Sequence, residues 1–151
     1  MDNVNYNCIF CAIAARRAPA SIVYENDGAL AFLDLNTVPE AHTLVVPKKH
    51  SRNLFDFDDA SALAVLRASR IVARALRAAL NAEGMTMLLA SERVAGQEVF
   101  HSHFHLMPRW GDDGLSRGGR PIEGRTIRKG GTSRAELDAL AEKIRAHIQD
   151  A

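Results

Sequence analysis

A chain of 151 residues, 47% hydrophobic and 25% charged, is long enough for one domain with its own core. A formal net charge of +1 removes the electrostatic basis for general attraction to nucleic acid or to a membrane surface, and no run approaches the ~20 apolar residues of a membrane span. The N-terminal residues 1–7 have neither the basic nor the apolar stretch of a leader, and both cysteines fall in one Cys8-x-x-Cys11, which leaves no long-range disulfide framework; cytoplasmic location is the expectation.

In chain order, Ile9, Phe10, Ile13 and Ala14 recur at helical spacing and predict a short helix over 8–17. Residues 21–25 and 28–34 predict a hairpin turning at Asn26-Asp27-Gly28. Residues 42–47 predict a strand stopped by Pro47. Asp58 or Asp59 can cap a long helix reaching about Glu83, with Gly84 as its stop. Ala62, Val65, Ser69, Val72, Leu76 and Ala79 form its apolar stripe, widened by Leu66, Ala73 and Leu80. Arg67, Arg70, Arg74 and Arg77 form a second stripe, read as a solvated face. Residues 85–90 predict a strand, and Ser91-Glu92-Arg93 a turn leading into another.

That next stretch, 96–109, alternates His101, His103 and His105 with Phe100, Ser102, Phe104 and Leu106. Alternation predicts a strand with all three imidazoles on one face, spaced about 6.6 Å apart. Each buried ring needs hydrogen-bond partners, so three in register point to function. Two ligands of one tetrahedral zinc sit closer than about 4 Å, so a straight strand could not bring all three to one ion. A nucleophilic histidine, with a neighbour stabilising an oxyanion, fits the spacing better.

Seven of the ten glycines fall between Gly111 and Gly131, among five basic residues and without a Walker-type pattern, which predicts a mobile loop or tail. Ser133 and Glu136 make a capping box for a last helix with Leu137, Leu140, Ala141, Ile144 and Ile148 on one face. His147 falls on its solvent side. Residues 1–110 are therefore expected to form the domain core, 111–132 a Gly/Arg-rich loop, and 133–151 a C-terminal helix of the same domain. Cys8-x-x-Cys11 reads as a zinc half-site or a redox pair, and no thioredoxin-like βαβ pattern surrounds it.

The run His101-Ser102-His103-Phe104-His105-Leu106-Met107 resembles the signature of the histidine triad (HIT) family, His-φ-His-φ-His-φ-φ with φ apolar. Gly96-Gln97, Pro108-Arg109, Cys8-Ile9-Phe10-Cys11, Ala31-Phe32-Leu33-Asp34 and the stretch 41–50 also resemble the family in order, so the likeness spans roughly residues 7–110. It implies an α+β HIT-like fold: an antiparallel sheet of about five strands, one long helix and a C-terminal helix. It further implies a homodimer; from the near-neutral charge, no nucleic-acid or membrane partner is expected.

The resemblance assigns roles by position. His103 becomes the nucleophile at the α-phosphorus of a purine nucleoside monophosphate conjugate, an adenosine phosphoramidate above all, through a nucleotidyl-histidine. His105 and Gln97 become donors to the oxyanion, and His42 the partner of the nucleophile. Asp34 becomes the ribose carboxylate, and Ile9, Phe10, Phe32 and Leu35 the apolar slot for the base. Cys8, Cys11, His50 and His101 match the ligands of a structural Zn²⁺ in bacterial-type relatives. Dinucleoside polyphosphate hydrolysis and a nucleotide-binding regulator with negligible turnover are the alternatives. Three positions depart from the pattern. Ser102 replaces an apolar residue, Ala90 an Asn near the phosphates, and Glu98 a Ser or Thr beside the leaving group. A carboxylate cannot donate there, so Glu98 is expected to turn toward solvent or an arginine, the alternative being that it holds a proton and serves as an acid to the leaving group.

Overall fold

The computed structural model describes residues 7–36 and 38–149; the N-terminal stretch read for a leader, up to Tyr6, lies outside the described residues. Its elements are α1 (Ile9–Ala14), β1 (Ile22–Glu25), β2 (Ala29–Leu33), β3 (Thr43–Pro47), α2 (Asp59–Leu80), β4 (Gly84–Leu88), β5 (Phe104–Arg109) and α3 (Arg134–Arg145). The five strands form one antiparallel sheet in the order β1-β2-β3-β5-β4.

Every residue of β2 and β3 is buried, which their continuous apolar runs require of a strand covered on both faces. Successive side chains alternate between two cores. Ala29, Ala31, Leu33 and Val45 meet Val65, Ile71, Val72 and Leu76 of α2. Leu30, Phe32, Leu44 and Val46 meet Phe10 and Ile13 of α1. On β5 the same alternation sends Leu106 to the α2 side and His105 to the α1 side, where the chemistry gathers.

Local signals set the boundaries. Asn26 builds the hairpin turn with its side chain, accepting from Gly28 N and Ala29 N at 3.0 and 2.7 Å and donating to Ala64 O at 3.0 Å. A Cβ at Gly28 would lie 2.7 Å from Ala64 Cβ, so this turn fits against α2 only without a side chain. Asp58 caps α2, accepting from Ser61 N at 2.9 Å. The helix stops at Asn81 rather than at the expected Gly84: Asn81 takes the left-handed conformation (φ 52°), and Gly84 opens β4. The buried stripe of α2 widens through Ala68, Ile71 and Ala75, while Leu66 stays exposed. The Ser133–Glu136 capping box forms as expected. Among the described residues no helix is long and apolar enough to cross a membrane.

The glycine-rich segment is not a tail. Arg109 reaches into it with 2.6 and 3.2 Å bonds to Asp113 and further bonds to Leu115 O (3.0 Å) and Ser116 O (2.8 Å). Arg128 closes it against the body, stacking 3.9 Å from the Trp110 ring centroid and bonding Glu40 at 2.7 Å. A sequence of glycines and arginines hides this order, because the partners are backbone carbonyls, the nearby Asp113 and the distant Glu40.

Asp113 is buried and also accepts from Trp110 N and Leu115 N. Burial opposes its charge, but Arg109 and those N–H groups prevail and hold its carboxyl below the usual carboxylate range. Its stabilisation is therefore complete above about pH 4–5 and is lost as pH falls through its lowered folded-state pKa. Asp113→Ala leaves Arg109 without its carboxylate and is expected to lower stability by about 3 kcal/mol at pH 7, with trypsin cutting at the arginines of 117–128 well before it cuts the parent. Equal urea midpoints and equal cleavage rates would contradict this.

Candidate functional site

The triad does not form one continuous strand. Phe104 starts β5, and His101–His103 lie outside the ladder, His101 at a bend. Register explains this: β3 pairs Val45 with Phe104, so the ladder would next reach Val46 and Pro47, and Pro47 has no N–H to donate. Ser102 N instead donates to Ser51 O at 2.7 Å. His101 Nε2 donates to Pro47 O at 2.9 Å. The chain is thus free to turn the three rings to different tasks.

His101 turns its Nδ1 away from the other two histidines. Cys8, Cys11, His50 and His101 converge: His50 Nδ1 and His101 Nδ1 are 3.2 Å apart, Cys11 Sγ lies 3.3 Å from His50 Nδ1 and 3.5 Å from His101 Nδ1, and Cys8 Sγ lies 3.4 Å from His101 Nδ1. Tetrahedral bonds of zinc to nitrogen and sulfur give edges of about 3.3–3.6 Å, so this donor set has the size of a Cys₂His₂ site. Neither cysteine is in a disulfide. The bond to Pro47 O fixes the His101 tautomer and leaves Nδ1 bare toward the cluster, the usual support of a metal-ligating histidine. Burial, above all, pushes His101 down to about 4, into the neutral form that ligates.

His103 Nδ1 donates to the carbonyl of His101 at 2.7 Å, which leaves the lone pair on Nε2. Burial lowers its pKa against the opposing pull of that carbonyl, Asp34 and Glu98, so the ring is neutral at pH 7. Phe10 packs edge-on against it at 5.1 Å between centroids. The His105 ring is 4.9 Å from His103. Burial, followed by His103 and His42, holds His105 at about 4.

The expected partner of the nucleophile is elsewhere. His42 Nε2 contacts His105 Nδ1 at 2.9 Å, and its Nδ1 faces Asp34 Oδ2 at 3.6 Å. The task of fixing the His103 tautomer falls to the His101 backbone, which no side-chain pattern could reveal. The donor role expected of Gln97 also conflicts with the geometry. Its Nε2 hydrogens go to Arg52 O (2.6 Å) and Val99 O (3.0 Å), and its Oε1 accepts from Glu92 N (2.8 Å). Buried and fully bonded, Gln97 shapes the loop before the triad and has no hydrogen left for a phosphate. Arg52 and Asn53, which both bond Glu92, complete that loop. They escaped the sequence because Glu92 lies about forty positions from them.

The four apolar slot residues divide. Phe10 and Phe32 are 6% and 4% exposed and meet each other edge-on, so they are core and form the floor of the site. Ile9 and Leu35, 50% and 69% exposed, offer the apolar surface a base could cover. Asp34 is half-buried and accepts from Asn36 N at 3.0 Å. Glu98 is exposed, and Ala90 is buried.

The HIT domain matches residues 15–112 of this chain. The fold resembles a zinc-bound histidine triad family protein of Mycobacterium smegmatis, with a TM-score of 0.76 and 31% identity over 94% of this chain and 93% of the other. It resembles a hypothetical histidine triad nucleotide-binding protein of Sulfolobus tokodaii with a TM-score of 0.78 and 31% identity, covering 93% and 91%. A HIT family hydrolase of Legionella pneumophila gives a TM-score of 0.61 and 33% identity, covering 74% and 99%. The matched segment begins after Cys8 and Cys11, so their place in the cluster stands on the geometry above. A five-stranded antiparallel sheet with a long helix, the run His101-Ser102-His103-Phe104-His105, and a domain match over 15–112 have one common explanation: the chain belongs to the histidine triad family.

Proposed function

We propose that this chain hydrolyses purine nucleoside monophosphate conjugates of the adenosine phosphoramidate type, at the α-phosphorus, through a nucleotidyl-histidine on His103. The observation that carries this reading is the 2.7 Å bond from His103 Nδ1 to the His101 carbonyl. A neutral imidazole so held presents the Nε2 lone pair, and covalent catalysis divides one hard displacement into two easier ones. In the first, His103 Nε2 bonds to phosphorus and the phosphorus–nitrogen bond to the leaving amine breaks as the amine takes a proton. In the second, water bonds to phosphorus, gives up a proton, and releases His103.

Charge on the non-bridging oxygens is assigned to His105 in the state that carries a proton on Nε2, since Gln97 has no free donor. Asp34 is assigned to the ribose hydroxyls, and Ile9 with Leu35 to the base. The solved relatives named for nucleotide binding and hydrolysis support this class of chemistry. Glu98 favours an amine leaving group over a polyphosphate one, because an exposed carboxylate whose charge acts on His103 repels a second anion there.

A structural Zn²⁺ is assigned to Cys8, Cys11, His50 and His101, supported by the cluster's dimensions and by the zinc-bound relative. Four protein donors leave no open coordination position, so the ion would hold α1 to the sheet and take no part in the reaction. Cysteines committed to a metal rather than to a disulfide fit a reducing compartment, and the cytoplasm is assigned on that ground. Homodimerisation is assigned to the β4 edge and α2, where Met87, Leu88, Leu63 and Leu66 are exposed.

His103→Ala is expected to lower kcat on an adenosine phosphoramidate by about 10⁴-fold or more while adenosine monophosphate still binds. His105→Ala is expected to lose about 10²–10³. Substantial turnover by the His103 variant would sink the nucleophile assignment. Elemental analysis of protein purified without added metal is expected to find one zinc per chain, and chelation to lower the melting temperature more than the rate of the molecules that stay folded. A metal-free protein with a Cys8–Cys11 disulfide would refute the metal assignment.

A further inference from the structure

Asp34, His42 and His105 place a carboxylate oxygen and two ring nitrogens within 4.8 Å of one another, on the sheet face that carries His103. Asp34 faces His42 Nδ1 at 3.6 Å, and this nitrogen is buried with no hydrogen-bond partner at closer range. A carboxylate at that edge favours a proton on Nδ1. In neutral His42 the other nitrogen, Nε2, must then be the acceptor of the 2.9 Å contact, and His105 Nδ1 its donor. That leaves His105 Nε2 as a lone pair. It cannot donate to an oxyanion until the His42–His105 pair gains a proton.

We propose that Asp34 is a positioning residue for the reaction as well as a contact for the sugar: it holds the His42–His105 pair in the tautomer that makes His105 Nε2 the site of proton exchange, and it shares its carboxylate between that pair and the ribose hydroxyls. This rests on the phosphoramidate reading above. When the pair carries one extra proton, His105 Nε2–H gives it to the departing nitrogen as the phosphorus–nitrogen bond breaks. The same Nε2, now bare, takes the proton of the attacking water, and the pair is restored. A ribose that donates hydrogen bonds to Asp34 competes with His42 for one carboxylate, so sugar binding alters the pair's hold on its proton. The groups facing the pair are Asp34 after β2 and His103 before β5, with Glu98 acting on His103. Burial disfavours charge on His42 and His105 alike; at His42 Asp34 is the largest group favouring a proton, with the backbone at Asn36 and Val38 behind it, and Asp34 is the one of these that a substitution removes.

The test reads the ring nitrogens directly by long-range ¹⁵N NMR of the zinc-loaded protein, parent and Asp34→Asn. The parent at pH 7.5 is expected to show His105 protonated on Nδ1 and bare on Nε2. In Asp34→Asn the protonation constant of the pair is expected to fall about tenfold, the effect of losing one nearby opposite charge. Adenosine monophosphate should weaken the pair's proton affinity relative to its 2′,3′-dideoxy analogue, since the two differ only in the hydroxyls that reach Asp34. In turnover, Asp34→Asn should lower kcat on the dideoxy phosphoramidate by about tenfold and shift its pH profile, smaller than the ~10⁴ loss where an aspartate is bonded tightly to a catalytic histidine.

A residue that only binds sugar would change KM on the ribose substrate and nothing on the dideoxy one. That result overturns the proposal. So does finding His105 protonated on Nε2, or a pair whose titration ignores Asp34→Asn. Failure of the phosphoramidate reading itself has a different signature: the parent turns over neither substrate while the NMR result stands.

Discussion

His101 is the joint on which the rest of the site depends. It is fully buried, and its two ring nitrogens and its carbonyl each have a separate task. Nδ1 faces the two sulfurs and His50, Nε2 bonds Pro47 O, and its carbonyl takes the proton of His103 Nδ1. One residue thus ties the N-terminal helix to the sheet and sets the tautomer of its neighbour two positions on. The helix it anchors has only six residues, too short to persist by its own hydrogen bonds. Burial of Phe10 and Ile13 against β2 and β3, together with the Cys₂His₂ cluster, holds it in place. Because Phe10 also packs on His101 and His103, the apolar floor and the polar cluster position the same two rings.

The sheet divides the labour between its faces. The long α2 fills one side with aliphatic contacts and leaves no room for polar chemistry there. The opposite side is covered only in part, by α1, and the remaining space receives Asp34, His42, His103 and His105 from two strand ends and the approach to a third. Pro47 is the hinge of this arrangement. By ending the β3–β5 ladder it frees residues 101–103 from strand geometry, which would have kept the three imidazoles in a row. Burial holds all of His42, His101, His103 and His105 below the ordinary histidine range, so the site is built from neutral rings whose roles are set by tautomer.

Much of this could be read in the residues. Buried strands show as unbroken apolar runs, α2 as a stripe that begins at Asp58, and α3 as a capping box, whereas the stop of α2 falls at Asn81 and not at the glycine that the sequence offers. The Cys₂His₂ set is legible because family order places four ligating residue types in sequence, and the chain does bring them together. What could not be read are the interactions with the backbone. Alternation places His101, His103 and His105 on one side but says nothing of ladder partners, so it starts β5 too early. Gln97 looks like a site amide, yet its hydrogens meet carbonyls at Arg52 and Val99. Phe10 and Phe32 resemble a base slot, yet packing from both sides makes them core. The segment 111–132 has the composition of a mobile loop, yet Arg109, Asp113 and Arg128 fold it down.

The covalent intermediate on His103 is the claim from which the rest of the chemistry follows. Its most direct measurement is mass spectrometry of protein denatured at alkaline pH, where a phosphorus–nitrogen bond to imidazole survives, in the first turnovers on an adenosine phosphoramidate, followed by sequencing at neutral to alkaline pH of the peptide that spans 101–109. The expected result is a transient nucleoside monophosphate on His103, present during turnover and gone when substrate is exhausted. Full turnover with no modified peptide, or a nucleotide carried by His105 in its place, would contradict it.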